Sequence, residues 1–185
     1  MNLFVLDTNT TQAARYHCDQ HVFKMAVEAA QILSSAVAYL ANNYVEVPNK
    51  DGSRKLRTFR AMEGLYKPTH YNHPCTKWVR GSEQNARWAY YLGLDLLHEC
   101  EYRGLKRSDR VREVLRNVNL YWRFFPSMPQ TPFVCAINAK LYPTVVINPA
   151  DPVATYRDYY RKGKAVFPTK GPATWRARGK PEWWQ

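Results

Sequence analysis

From about Thr10 to Asn42 the apolar residues recur at helical spacing, and Val22, Met25, Ala29, Leu33, Ala36, Val37 and Leu40 share one face. Asp7, Thr8 and Asn9 offer N-caps ahead of this helix, and Asn42 and Asn43 close it. A second long helix is expected from Thr76 to about Arg103, with Trp78, Val79, Trp88, Leu92, Leu96 and Leu97 inward and Gly104 as its stop. Ser108 can cap a third helix through about Trp122, and Asp151-Pro152 starts a last one reaching about Lys164. Ahead of the first helix, residues 2–6 (NLFVL) form a short apolar run expected to be extended and buried. Two stretches break the pattern: Val45 to Thr69 reads as a basic loop, and Phe124 to Asn148 is irregular and punctuated by prolines. Pro68 and Pro74 forbid a continuous helix through Tyr66–Pro74. The expected architecture is all-α (mostly helical): one compact domain of about four helices with long irregular loops. Residues 1–165 would form this domain, with 166–185 a basic, aromatic C-terminal tail packed on or extending from it.

Charge changes the picture more than length does. The chain has 185 residues, inside the single-domain range. Its 27 Lys and Arg outweigh 15 Asp and Glu, a formal net charge of +12 that favours polyanions. No apolar run reaches the about 18 residues of a membrane span, and no surface-lying basic amphipath stands out. DNA is the expected partner, with no membrane; the sequence leaves the oligomeric state open, with a monomer favoured. Cys18, Cys75, Cys100 and Cys135 are widely spaced without a CxxC pair, and the opening MNLFVLDTNT has no signal-peptide pattern. Reduced thiols in a cytoplasm are expected.

Three groups of residues could carry chemistry. At 100° per residue His17, His21, Lys24 and Glu28 fall within about 60° on the first helix, one polar stripe beside the apolar face. Such a stripe sits where burial and mutual charge shift pKa values, though a solvated face with an i,i+4 Lys24–Glu28 pair is the plainer reading. Lys67 and the string His70-Tyr71-Asn72-His73-Pro74 precede a helix N-terminus, which suits phosphate binding by His70, Asn72 and His73 or, equally, an ordered connector. Histidines at 17, 21, 70 and 73 could compose a zinc site, but the HExxH glutamate is missing and Lys24 is close, so no metal and no cofactor are expected. The third group interleaves cations with aromatics: Arg157, Arg161, Lys162 and Lys164 among Tyr156, Tyr159 and Tyr160, then the tail tryptophans. That pattern fits a backbone groove with stacking platforms, or a helix that buries Tyr156 and Tyr160 with its cations outward. Arg57, with Lys50, Arg54, Lys55 and Arg60 around Asp51-Gly52-Ser53, adds a basic loop.

With these residues in view, the chain resembles the phage-type pyrimidine-dimer DNA glycosylases of the endonuclease V kind. The likeness rests on NLFVL before the first helix, the His21…Glu28 spacing, LGLDLLHECEYRGL, YRDYYRKGKA and the string YNHP, together spanning Asn2 to Lys164. The resemblance implies a small all-helical domain in which the N-terminal α-amine attacks C1′ of the damaged nucleotide. It implies Glu28 as the supporting carboxylate, with His21 its helical neighbour at the DNA. An α-amine, with a pKa of about 7.7–8.0, is far better populated as the free base than a lysine. Relatives expose a small threonine after methionine removal, whereas Asn2 follows Met1 here and should hinder that removal. Met1 would then carry the amine, or Lys24 would replace it.

The expected function is that of a DNA-acting enzyme of viral origin, a DNA N-glycosylase with possible lyase activity on an altered or modified pyrimidine, working in the host cytoplasm. Two alternatives stand beside it. One is a base-modifying transferase on the same scaffold, with His17 or His21 as general base. The other is a non-catalytic DNA-binding protein that uses the basic loop and tail.

Overall fold

The computed structural model describes residues 1–48 and 55–184. Lys50, Arg54 and residues 51–53 therefore lie outside the described residues. Among the described residues the chain is mostly helical, with six α-helices, one 3-10 helix and two small antiparallel strand pairs. The helices are α1 (Thr10–Tyr16), α2 (Asp19–Leu40), α3 (Pro74–Arg80), α4 (Glu83–Tyr102), α5 (Asp109–Val118) and α6 (Pro152–Gly163). No helix is long and apolar enough to cross a membrane among these residues.

The all-α expectation holds, but about four helices become six, because both long helices are interrupted. Asn9 starts α1 by accepting from Gln12 N at 2.9 Å. The backbone then turns extended at His17 and Cys18. What holds the break is remote: the Arg103 guanidinium donates to Arg15 O and to His17 O, both at 2.8 Å. These helix-terminal carbonyls would otherwise lack partners. The second interruption, at Gly81-Ser82, has local causes. Ser82 Oγ caps the new helix at Gln84 N and Asn85 N, and Asn85 Nδ2 donates to Trp78 O at 2.8 Å.

Helix α2 is the central element and packs on α3, α4 and α5. Its sequence is rich in alanine and serine on the contacting face, which brings neighbouring backbones close. Gly93 of α4 serves the same end: a Cβ there would meet the Leu115 methyls at 3.1 Å and Ala29 at 3.4 Å. After α4, Gly104 adopts φ +61°, the left-handed stop its position predicts, and Leu105 N donates to Cys100 O at 2.8 Å.

The loop expected at Val45–Thr69 contains a hairpin, β1 (Tyr44–Pro48) against β2 (Lys55–Phe59). The third helix ends earlier than expected and continues as a 3-10 turn over Asn119–Phe124. Residues 165–184 fold back on the body. Trp175 is buried, its indole N–H donating to Tyr16 O at 3.0 Å, and Asp19 N donates to Thr174 O at 2.7 Å. Strands β3 (Val166–Phe167) and β4 (Gly171–Pro172) make the turn that allows this.

The opening apolar run is buried as expected, though it joins no sheet. Phe4 is its anchor, with ring centroids of His21, Tyr156, Tyr159 and Tyr160 all within 5.8 Å. Burying a phenylalanine contributes about 1.5–3 kcal/mol. Here it also ties residues 2–6 to α2 and α6, and so fixes where the chain begins.

Candidate active site

The chain start meets Glu28 halfway along α2. Asn2 N donates to Glu28 Oε2 at 2.5 Å, and the Met1 amine lies 3.9 Å from the same oxygen. Lys24, one turn earlier, places its ammonium 3.7 Å from Glu28 Oε1. Glu28 is largely enclosed and the Met1 side chain is buried, whereas Lys24 reaches solvent with 61% of its side chain exposed. An amine, a carboxylate and an exposed cation therefore share one locus.

His73 stands beside it. Its Nδ1 accepts from Cys75 N at 3.2 Å, capping α3 at Pro74. Burial lowers its pKa first, and the positive charge of the Met1 amine and His70 lower it further. The ring is thus biased towards its neutral form next to the amine. His70 is exposed with φ +50°, its Nδ1 2.7 Å from Thr69 Oγ1, and Asn72 and Lys67 are exposed on the same connector. Ser35 of α2 clamps that connector, accepting from Thr69 N at 3.0 Å and donating to Thr69 O at 2.8 Å.

The single polar stripe expected on the first helix divides. His17 precedes α2, so the helical angle that aligned it with Glu28 does not apply. It is fully buried, its Nδ1 2.7 Å from Ala13 O, and burial lowers its pKa to about 4. His21 is on α2 but buried too, with Nδ1 2.7 Å from the Tyr160 hydroxyl and the ring edge-on to Phe167. Burial and the charges of His17 and Lys24 push its pKa down to about 2. Lys24 and Glu28 meet the chain start; His17 and His21 belong to the aromatic core. No group of three His, Cys, Asp or Glu that could hold a metal occurs among the described residues.

The cations expected at DNA also divide. Arg157 donates to Leu6 O and pairs with Asp7 at 3.1 Å. Arg161 and Lys162 both pair with Asp158, at 3.4 and 2.8 Å, and Lys164 Nζ is 3.1 Å from the Tyr142 hydroxyl. Arg57 is exposed, its guanidinium 4.6 Å from the centroid of Tyr44. Tyr156 and Tyr160 point inward, each fully buried.

Residues that sequence reasoning missed surround Asn2. Its Nδ2 donates to Ala136 O at 2.7 Å, and its Oδ1 accepts from Leu3 N at 2.8 Å and the Tyr156 hydroxyl at 2.9 Å. Cys75 Sγ adds a longer contact at 3.4 Å, its thiol pushed up to about 12 by burial. One local signal existed, an amide-bearing side chain opening an apolar run.

The family model for pyrimidine dimer DNA glycosylase matches residues 1–113, more than half of the chain. The protein belongs to this family of DNA glycosylases, whose substrate is DNA. The matched region carries Met1, Asn2, Lys24, Glu28 and His73. No curated protein and no solved structure matches the chain.

Proposed function

We propose that this protein is a DNA N-glycosylase for an altered pyrimidine, with the Met1 α-amine as nucleophile and Glu28 as its supporting carboxylate. The observation that carries this reading is the 3.9 Å approach of the Met1 amine to Glu28 Oε2, in a setting where Asn2 N holds the same oxygen. The free amine attacks C1′ of the target nucleotide. The C1′–N bond breaks, its electron pair leaves with the base, and the amine sheds a proton. Opening of the sugar ring then breaks C1′–O4′, the nitrogen lone pair forming a C1′=N imine as the ring oxygen leaves with the bond's electron pair and takes up the proton that the amine shed. Glu28 stabilises positive charge developing on the sugar and receives or relays the amine proton. His73, biased neutral, is a second proton acceptor within the same locus. Lys24 offers its exposed ammonium to phosphate, with Lys67, Arg57, His70 and Asn72 extending that surface. Arg157, Arg161, Lys162 and Lys164 secure the C-terminal part of the chain and add to the positive field.

A base-modifying transferase would need His17 or His21 as general base, and both rings are enclosed. A purely DNA-binding protein has no use for an amine held at a carboxylate. The test is borohydride reduction during reaction with duplex DNA containing a pyrimidine dimer or an abasic site, followed by mass spectrometry of the adduct. Hydride delivered to the imine carbon gives a stable secondary amine. Attachment at residue 1 is expected. Attachment at Lys24 would move the nucleophile, and no adduct with either DNA would remove the amine mechanism.

A further inference from the structure

We infer that the Asn2 side chain is a positioning residue that sets the place of the α-amine against Glu28. This rests on the proposed role of the Met1 amine and adds what holds that amine still. Asn2 joins four parts of the molecule. Its backbone N–H is on Glu28 of α2, its Oδ1 receives the Tyr156 hydroxyl of α6 and the Cys75 thiol of α3, and its Nδ2 reaches Ala136 O in the 125–151 connection. The amide cannot be turned over without loss. Leu3 N needs an oxygen on one side, while Ala136 O needs a donor on the other, and the Tyr156 hydroxyl lies 2.9 Å from the oxygen so placed. The Tyr156 hydroxyl is itself fixed, accepting from Ala136 N at 3.0 Å and lying 3.0 Å from Val134 O.

The amine is one peptide unit upstream of this clamp. With residue 2 held through both backbone and side chain, the amine keeps only the torsions of Met1, whose side chain is itself buried. Releasing Asn2 would return the freedom of a second residue to the nucleophile. A nucleophile that must be reordered before each attack reacts more slowly without binding its substrate less well.

Asn2→Leu tests the idea, because it keeps a bulky residue beside Met1 and removes every polar contact of the side chain. Intact mass first verifies that Met1 is retained in both proteins, and circular dichroism that both are folded at the assay temperature. With a duplex carrying one abasic site as probe, single-turnover borohydride trapping at saturating DNA should slow by about 10- to 30-fold. The DNA concentration for half-saturation should stay within about twofold. Tyr156→Phe, which removes one partner of the clamp and keeps the ring, should slow trapping in the same way, and the double variant should lose less than the product of the two. Trapping at the wild-type rate in Asn2→Leu, or a loss that lies in DNA affinity alone, overturns the inference and leaves the amine mechanism standing. A wild-type adduct that maps away from residue 1 overturns both.

Discussion

Glu28 and Glu99 are both mostly enclosed carboxylates on long helices, and they are held in opposite ways. Glu99 on α4 is bound by Arg103 at 2.9 Å and by Arg178 at 2.6 and 3.1 Å. Arg103, with no exposed side chain, also binds Asp19 at 3.1 Å and the two carbonyls at the end of α1. Burial alone would raise the pKa of Glu99, yet Arg178 and Arg103 together hold it below its ordinary value. Every charge there has a directional partner, and the cluster joins α1, α2, α4 and the tail. Glu28 has one short bond, from Asn2 N, and two cations at 3.7 and 3.9 Å, beyond hydrogen-bond reach. Saturated charge builds a fold. Charge left partly unsatisfied near a surface remains available to a reacting group.

The comparison breaks most visibly at Arg103. Arg103→Met takes the buried cation from Asp19, which keeps only the neutral donors Thr174 Oγ1 and Arg176 N, removes one of the two arginines on Glu99 and frees the α1 carbonyls, so urea unfolding should show a loss of about 3–5 kcal/mol. Turnover per folded molecule should change little. Glu28→Gln should do the reverse: kcat falls by about 10²-fold or more, roughly 2.7 kcal/mol in barrier, while stability and DNA binding stay near wild type. Glutamine can still accept from Asn2 N, so only the charge is lost. Normal turnover in Glu28→Gln would reduce Glu28 to a structural ligand like Glu99.

Acid stability sharpens the contrast between buried histidines and carboxylates. His17 and His21 have folded pKa values of about 4 and about 2, below the ordinary 6.5, because burial penalises their charged forms. Below about pH 6.5 the unfolded chain takes up protons that the folded chain refuses, so stability is full above that pH and falls on acidification. Each ring contributes a slope of at most about 1.4 kcal/mol per pH unit, continuing to about pH 4 for His17 and about pH 2 for His21. Glu99 acts lower: its stabilisation is present above the ordinary value of 4.5 and is lost as pH falls below that. Urea midpoints between pH 7 and 5 should therefore decline in the wild type and decline less in His17→Gln. A flat wild-type profile over that range would mean that these rings accept protons in the fold.

Much of this molecule was legible before the structure. Apolar spacing gave the α2 and α4 faces, Ser108, Asp151 and Gly104 act at the helix ends where they were expected, and Tyr156 and Tyr160 point inward. The break at His17 was not legible, because its cause, Arg103, is 86 residues away. That one remote contact undid the helical angle on which the four-residue stripe depended. Lys24 and Glu28 survived because their i,i+4 relation is local. The Asn2 clamp needed Cys75, Ala136 and Tyr156 brought together, up to 154 residues apart in sequence. Periodicity reports which way a residue faces within its own element and says nothing about partners that only the fold supplies.

The same division between satisfied and available charge predicts which cations DNA feels. Arg57 is exposed and stacked on Tyr44, while Arg161 pairs with Asp158 and donates to Trp183 O at 3.1 Å. Contact with a phosphate releases a counterion, so each contact adds about 0.9 to the slope of log K against log salt. Arg57→Ala should flatten that slope by about one and weaken binding similarly on any sequence. Arg161→Ala removes a charge already offset by Asp158; the slope should stay within about 0.3 of wild type. Its cost falls instead on the tail, at most about 1 kcal/mol, the scale of an exposed pair. Fluorescence anisotropy between about 50 and 200 mM salt measures both. Equal flattening by the two variants would mean that Arg161 leaves Asp158 for phosphate, placing α6 at the DNA and moving that arginine from the first kind of charge to the second.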